Sequence, residues 1–190
     1  MALIYLTDEQ RSQLLQVARK SIHEGCEKNA PLPVDVKKFE AALQNKGASF
    51  VTLKIEEALR GCIGTLEASR PLVQDVSSHA FAAAFTDPRF SPVTRDELEL
   101  ITISISVLTP AEKIEFKDEL DLLEKINPGV DGLILEAGRY RGTFLPAVWK
   151  SLPEKIDFLQ QLKRKAGLPE NYWSEEISVS RYHTVEFAES

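Results

Sequence analysis

Residues 59–65 read LRGCIGT and hold one of the chain's two cysteines, Cys62, between Gly61 and Gly64, with Arg60 just ahead. A thiol in this setting can serve as a nucleophile. The thiolate is the reactive species, and a guanidinium or the N–H groups of a glycine bend would stabilise its charge. Glycines without Cβ atoms also let a ligand or another segment approach the backbone closely. The same residues equally describe a small packed cysteine in a glycine-kinked strand, free cysteine being among the most buried residue types. Strand alternation puts Arg60 and Cys62 on one face only if no bulge separates them. No histidine lies nearby in sequence, so a base such as His79 or His183 would have to be delivered by the fold.

A second segment, TDPRF at 86–90, adds a turn in which Asp87 bonds its own backbone and Pro88 presets φ. Arg89 then projects from the loop as a two-pronged fork suited to a carboxylate or phosphate. Together the two segments suggest a ligand-binding set of Arg60, Gly61, Gly64, Asp87 and Arg89 around a candidate nucleophile, Cys62. The expected ligand is a small anionic molecule. By contrast SSH at 77–79 makes a poor dyad, since adjacent helical residues point about 100° apart, and His79 is expected on a helix surface.

Composition narrows the partners. Acidic residues outnumber basic ones 29 to 23, for a net charge of −6, which argues against a nucleic-acid reader. KRK at 163–165 reads as the solvated last turn of a helix. Two cysteines without CxxC spacing and three scattered histidines offer no transition-metal motif, so no metal site is expected. No apolar run approaches the roughly 20 residues of a membrane span, and MALIYLTDEQ lacks a basic leader, so a cytoplasmic protein is expected.

The elements that must position these residues follow from periodicity. Thr7 with Gln10 forms a capping box for a first helix of about four turns that fades near Gly25. SFVTLKI and ALRGCIGTL read as paired strands. PLVQDVSSHAFAAAF reads as a helix with Leu72, Val76, Ala80 and Ala84 on its buried stripe, stopped by the prolines of TDPRFSPV. In LITISISVLTP, Ile101, Ile103, Ile105 and Val107 alternate with Thr102, Ser104 and Ser106. KDELDLLEKI predicts a short helix, and GLILEAGRYRGTF a hairpin reversing near Ala137–Gly138. Ser151 with Glu154 suggests a second capping box, with Pro153 in the first turn, Ile156, Leu159 and Leu162 as the buried stripe, and Gly167 after the last turn. EISVSRYHTVEF reads as one alternating strand. The mixture predicts an α+β fold, a largely antiparallel sheet flanked by helices, with a smaller second lobe from about residue 110 onward.

The segments LRGCIGT, AAAFTDPRFSPV, SISVLTP, GVDGLIL, RGTFLPAVW and FLQQLKRKAGL occur in an order that resembles the AMMECR1 family, from about residue 8 to 189. The hallmark of that family is matched without substitution at Leu59, Arg60, Gly61, Cys62, Ile63 and Gly64. The resemblance implies an α+β fold with a larger sheet-and-helix part and a smaller lobe. It also implies a MEMO-like protein and a radical SAM protein as partners, a set labelled AmmeMemoRadiSam, and it implies neither a reaction nor a cofactor. Two readings stand side by side: a small-molecule site around LRGCIG, and an adaptor without chemistry of its own.

Overall fold

The computed structural model describes residues 6–189. The first helix, α1 (Asp8–Lys28), begins as the capping box predicts: the Thr7 hydroxyl accepts the Gln10 N–H at 3.2 Å, and the Gln10 side chain accepts the Thr7 N–H at 3.0 Å. It runs past Gly25, because Asn29 rather than that glycine takes the left-handed cap (φ 54°). The remaining elements are α2 (Ala41–Gln44), β1 (Lys46–Ile55), β2 (Ala58–Gly64), β3 (Arg70–Pro71), α3 (Leu72–Phe85), β4 (Ile101–Leu108), β5 (Glu112–Lys113), α4 (Glu119–Lys125), β6 (Gly132–Ala137), β7 (Tyr140–Phe144), α5 (Lys155–Lys165), β8 (Ser178–Tyr182) and β9 (Thr184–Ala188). Helices with antiparallel strand pairs make this an α+β fold.

The chain divides into two compact units, one of Met1–Leu108 with Val185–Ser190 and one of Thr109–Thr184. In the first, the strand order is β2-β1-β4-β9, with β3 pairing the start of β1. Strand alternation puts Val51, Leu53, Ile101, Ile103, Ile105 and Val107 on one face, where they share a core with Leu72, Val76, Ala80 and Ala84 of α3 and Leu14, Ala18 and Ile22 of α1. The other face carries Thr52, Ser104 and Ser106. Strand β2, which holds LRGCIG, lies at the sheet edge.

The second unit has strand order β5-β8-β6-β7 over a core of Leu133, Leu135, Val179, Leu159, Leu162 and Phe158, the last stacked on Trp149 at 3.6 Å. Helix α5 departs from expectation. Ser151 ends the preceding 3-10 turn in helical backbone (ψ −22°), and a helix N-cap needs an extended one, so its hydroxyl goes to the Val148 carbonyl. Glu154 is the N-cap, Pro153 stands outside the helix, and Ile156 is exposed while Phe158 takes the core position. Lys163 is not solvated. It is fully buried, 2.5 Å from Glu119 Oε1 and 3.1 Å from the Glu170 carbonyl oxygen. EISVSRYHTVEF forms two strands broken at His183, and these belong to different sheets. No helix among the described residues is long and apolar enough to cross a membrane.

Candidate functional site

The β1–β2 hairpin turns through Glu56 and Glu57, both at positive φ (49° and 67°), as a two-residue turn matched to strand twist requires. Its register pairs Thr52 with Cys62 and Leu53 with Gly61, then Lys54 with Leu59. Arg60 is the extra residue of a bulge, so simple alternation does not relate it to Cys62. Its guanidinium turns to Glu97, with Nε 2.7 Å from Oε1 and Nη2 3.1 Å from Oε2. Glu97 Oε2 also accepts the Thr94 N–H and hydroxyl at 2.8 and 3.0 Å. The Arg60 hydrogen bonds, helped by Thr94, hold the Glu97 carboxyl down to about 2. Arg60 Nη1 is buried without a hydrogen-bond partner.

Gly61 and Gly64 serve packing. A Cβ on Gly61 would lie 2.1 Å from the Ala83 carbonyl oxygen of α3. One on Gly64 would lie 2.3 Å from the Phe50 ring and 2.4 Å from the Ser49 carbonyl oxygen. The space expected for a ligand beside these two backbones is thus filled by the protein's own helix and strand.

Cys62 faces away from α3, beside Thr52, whose hydroxyl donates to Sγ at 3.2 Å. The Cys62 N–H donates to Asp87 Oδ2 at 2.9 Å, and its carbonyl accepts from Arg89 Nη2 at 3.2 Å. Thr52 and Cys62 are therefore a non-hydrogen-bonded pair of the ladder, the kind whose side chains come closest. The carboxylate and guanidinium together supply the edge strand with what a further strand would give it. They also bind each other: Arg89 Nε is 2.9 Å from Asp87 Oδ1, Nη2 is 2.7 Å from Oδ2, and the Arg89 N–H donates to Oδ1 at 3.1 Å. The Asp87 side chain is 2% exposed and that of Arg89 is 54% exposed. The guanidinium first, then the Cys62 and Arg89 N–H groups, keep the Asp87 carboxyl far below the usual carboxylate range against the opposing effect of burial.

The fold thus brings Cys62, Asp87 and Arg89 into one hydrogen-bonded cluster and directs Arg60 to a neighbouring ion pair. The thiol's hydrogen bond comes from Thr52, while His79 bonds Asp75. His79 is buried, contrary to the helix-surface expectation, with Nδ1 3.1 Å from Asp75 Oδ2, which also accepts the Ser49 N–H and hydroxyl at 3.0 and 2.7 Å. His183 bonds Asp131 in the other unit. The second thiol, Cys26, lies 3.9 Å from the Val93 carbonyl oxygen, and burial pushes it up. Two partners were missed from sequence. Glu97 was findable, because T-x-x-E at 94–97 is a capping-box signature. Thr52 was not, because its partner depends on strand register. Among the described residues no group of three or more His, Cys, Asp or Glu side chains is placed to hold a metal ion.

A two-unit α+β chain whose glycine-flanked edge cysteine is clamped by an Asp–Arg loop has clear relatives. The family model for AMMECR1 matches residues 15–187, and the chain belongs to the AMMECR1 family. Protein SSO0193 of Saccharolobus solfataricus is 40% identical over 193 aligned residues, covering 97% of this chain and 84% of that protein. Protein MJ0810 of Methanocaldococcus jannaschii is 38% identical over 158, covering 81% of this chain and 79% of that protein. The crystal structure of the uncharacterized protein PH0010 from Pyrococcus horikoshii is similar at a TM-score of 0.89 and 35% identity, covering 97% of this chain and 94% of that one.

Proposed function

We propose that the chain binds a small anionic molecule at the clamped Cys62 segment, with Arg89 meeting its charge and Cys62 presenting its sulfur. The observation that carries this reading is the number of constraints on one cysteine. Protecting a strand edge needs only its N–H and C=O covered, yet here the thiol as well receives a hydroxyl hydrogen bond. A sulfur fixed in this way is preorganised for contact or attack, and Cys62 is the nucleophile of any covalent step at the site. Arg89 commits Nε and Nη2 to Asp87 and Cys62. Nη1 has no hydrogen bond among the described residues on a side chain more than half exposed, so part of the fork remains for an oxyanion.

Two measurements test the proposal. Graded iodoacetamide labelling at pH 6.5 is expected to modify Cys62 before Cys26, whose thiol is pushed up by burial. Metabolite capture on the wild-type chain, set against Cys62→Ser and Arg89→Gln, is expected to enrich an anion that both variants lose. Cys62 that labels only after denaturation, or variants that capture as the wild type does, would overturn the reading.

A second reading is favoured by Leu59, an apolar residue of the same strand that is 43% exposed. Here the chain is an adaptor that docks on a MEMO-like protein or a radical SAM protein, and no co-purification at micromolar concentration would count against it.

A further inference from the structure

A second organised cluster lies in the unit of Thr109–Thr184, built on Asp131 of the GVDGLIL segment. The Asp131 side chain is 0% exposed. Its Oδ2 accepts the Asn127 N–H at 2.9 Å and the Asn127 side-chain amide at 3.2 Å, and lies 3.3 Å from Arg181 Nη1. Its Oδ1 lies 2.9 Å from His183 Nε2, and its main-chain oxygen accepts the Trp149 indole N–H at 2.7 Å. His183 is held through its backbone as well: its N–H donates to Thr109 Oγ1 and its carbonyl accepts the Thr109 N–H, both at 2.9 Å. A buried carboxylate that fixes one ring nitrogen also fixes which way the other nitrogen points.

A network that only closed one end of the core would use up its polar groups, and this one does not. Arg181 engages Asp131 through Nη1 alone, and His183 through Nε2 alone. Arg181 Nε and Nη2 and His183 Nδ1 have no partner among the described residues, and none is a buried orphan. The two side chains are 25% and 21% exposed. Arg181 and His183 engage the same buried carboxylate, one at each oxygen, so the two partly exposed side chains flank one anchor. Asp131 already neutralises Arg181, so a guest meets directed donors rather than a bare charge. The register sets Glu112, exposed, opposite Arg181, an acid that works against an anion there.

We propose that Arg181 and His183 form a binding site for a phosphate-type oxyanion. Arg181 Nε and Nη2 grip two oxygens, and His183 Nδ1 shares a proton with a third. The site is independent of Cys62. The test uses the full chain labelled with nitrogen-15, reading the imidazole rings of the three histidines by long-range proton–nitrogen correlation, with His183→Gln giving the assignment. Inorganic phosphate and glycerol phosphate are titrated at constant ionic strength against chloride. The expected result is a saturable shift of the His183 signals with at least one phosphate species and none with chloride. Whichever phosphate binds more tightly tells a free ion from an ester. Arg181→Gln is expected to weaken binding at least tenfold. If that variant fails to fold, Arg181→Lys, which keeps the charge and loses the fork, is expected to weaken it severalfold with unchanged His79 signals. No saturable shift, an equal shift of His23, or unweakened binding in the folded Arg181 variant would overturn the proposal.

Discussion

Replacing Asp87 with alanine should destabilise the unit that holds β2 more than any other single change in the clamp. The carboxylate accepts four hydrogen bonds, from the Cys62 N–H and from the Arg89 N–H, Nε and Nη2. Removing it leaves the Cys62 N–H unpaired at a partly covered edge, a loss of about 1–3 kcal/mol. The ion pair adds less than a fully buried one, because the Arg89 side chain is 54% exposed and its guanidinium is received by water. An exposed pair is the better guide, at about 0.5–1 kcal/mol. The sum is about 3 kcal/mol, which in a chain of this length lowers the melting temperature by roughly 6–12 °C. Thermal and urea unfolding at pH 7, followed by far-ultraviolet circular dichroism, measure it. Asp87→Asn keeps an oxygen for the Cys62 N–H and should lose about half as much, while Arg89→Met should lose about 1 kcal/mol. The double variant Asp87→Ala with Arg89→Met should fall short of the sum of the singles, since both remove the same pair. If Asp87→Ala lies within about 0.5 kcal/mol of wild type, ordinary for a surface change, or if Arg89→Met is the costlier single, the clamp does not hold the strand and the reasoning fails.

Two further outcomes follow from the same geometry. Asp87 and Glu97 are both held below their unfolded carboxyl values by arginine partners, Glu97 down to about 2. Their stabilisation is therefore complete above the unfolded values and is lost as pH falls from about 5 toward 2. Urea midpoints at pH 7, 5, 4 and 3 should decline along this limb, and Glu97→Gln should flatten it; an unchanged slope would remove Glu97 from the account. Gly61→Ala places a Cβ 2.1 Å from a backbone oxygen of α3, which no rotamer can relieve, so the helix must shift at a cost of about 2 kcal/mol or more. Gly129→Ala, at φ +78° with nothing within 4 Å, should lose only about 1 kcal/mol to its left-handed backbone. A Gly61→Ala chain as stable as the wild type would show that α3 is not seated on β2.

Much of the fold was legible because apolar spacing carries it. The alternation of Ile101, Ile103, Ile105 and Val107, and the fourth-residue repeat of Leu72, Val76, Ala80 and Ala84, mark faces that are buried in the structure. What stayed hidden depends on partners distant in sequence. His79 is polar on a helix, which reads as a wet face until Asp75 four residues back and Ser49 on β1 turn it inward. The start of α5 misled because Ser151 and Glu154 have capping-box spacing while the Ser151 backbone is helical, and spacing says nothing of ψ. In the candidate site the segments were legible and their roles were not. The Arg60 bulge shifts register by one residue, which decides that Cys62 faces Thr52 and that Arg60 turns to Glu97.

The pairing of LRGCIG with TDPRF has a physical reason. An edge strand that must admit a helix backbone at Gly61 has no bulky side chain there to shield it, and its exposed N–H and C=O invite another chain. The loop that follows α3 returns Asp87 and Arg89 to that edge, so the helix seated by the glycine also delivers the clamp. Removing the atoms that build this arrangement leaves little of either motif. Gly61 seats α3, Gly64 makes room for Phe50, Ile63 packs on the core, and Asp87 covers the strand. What remains is Cys62 Sγ with its hydroxyl donor, Arg89 Nη1, and the buried Arg60 Nη1 that Glu97 does not reach. No ion pair or backbone hydrogen bond among the described residues runs through those atoms. Substitutions that reach only them, Cys62→Ser above all, separate function from stability where changes at the glycines or Asp87 cannot.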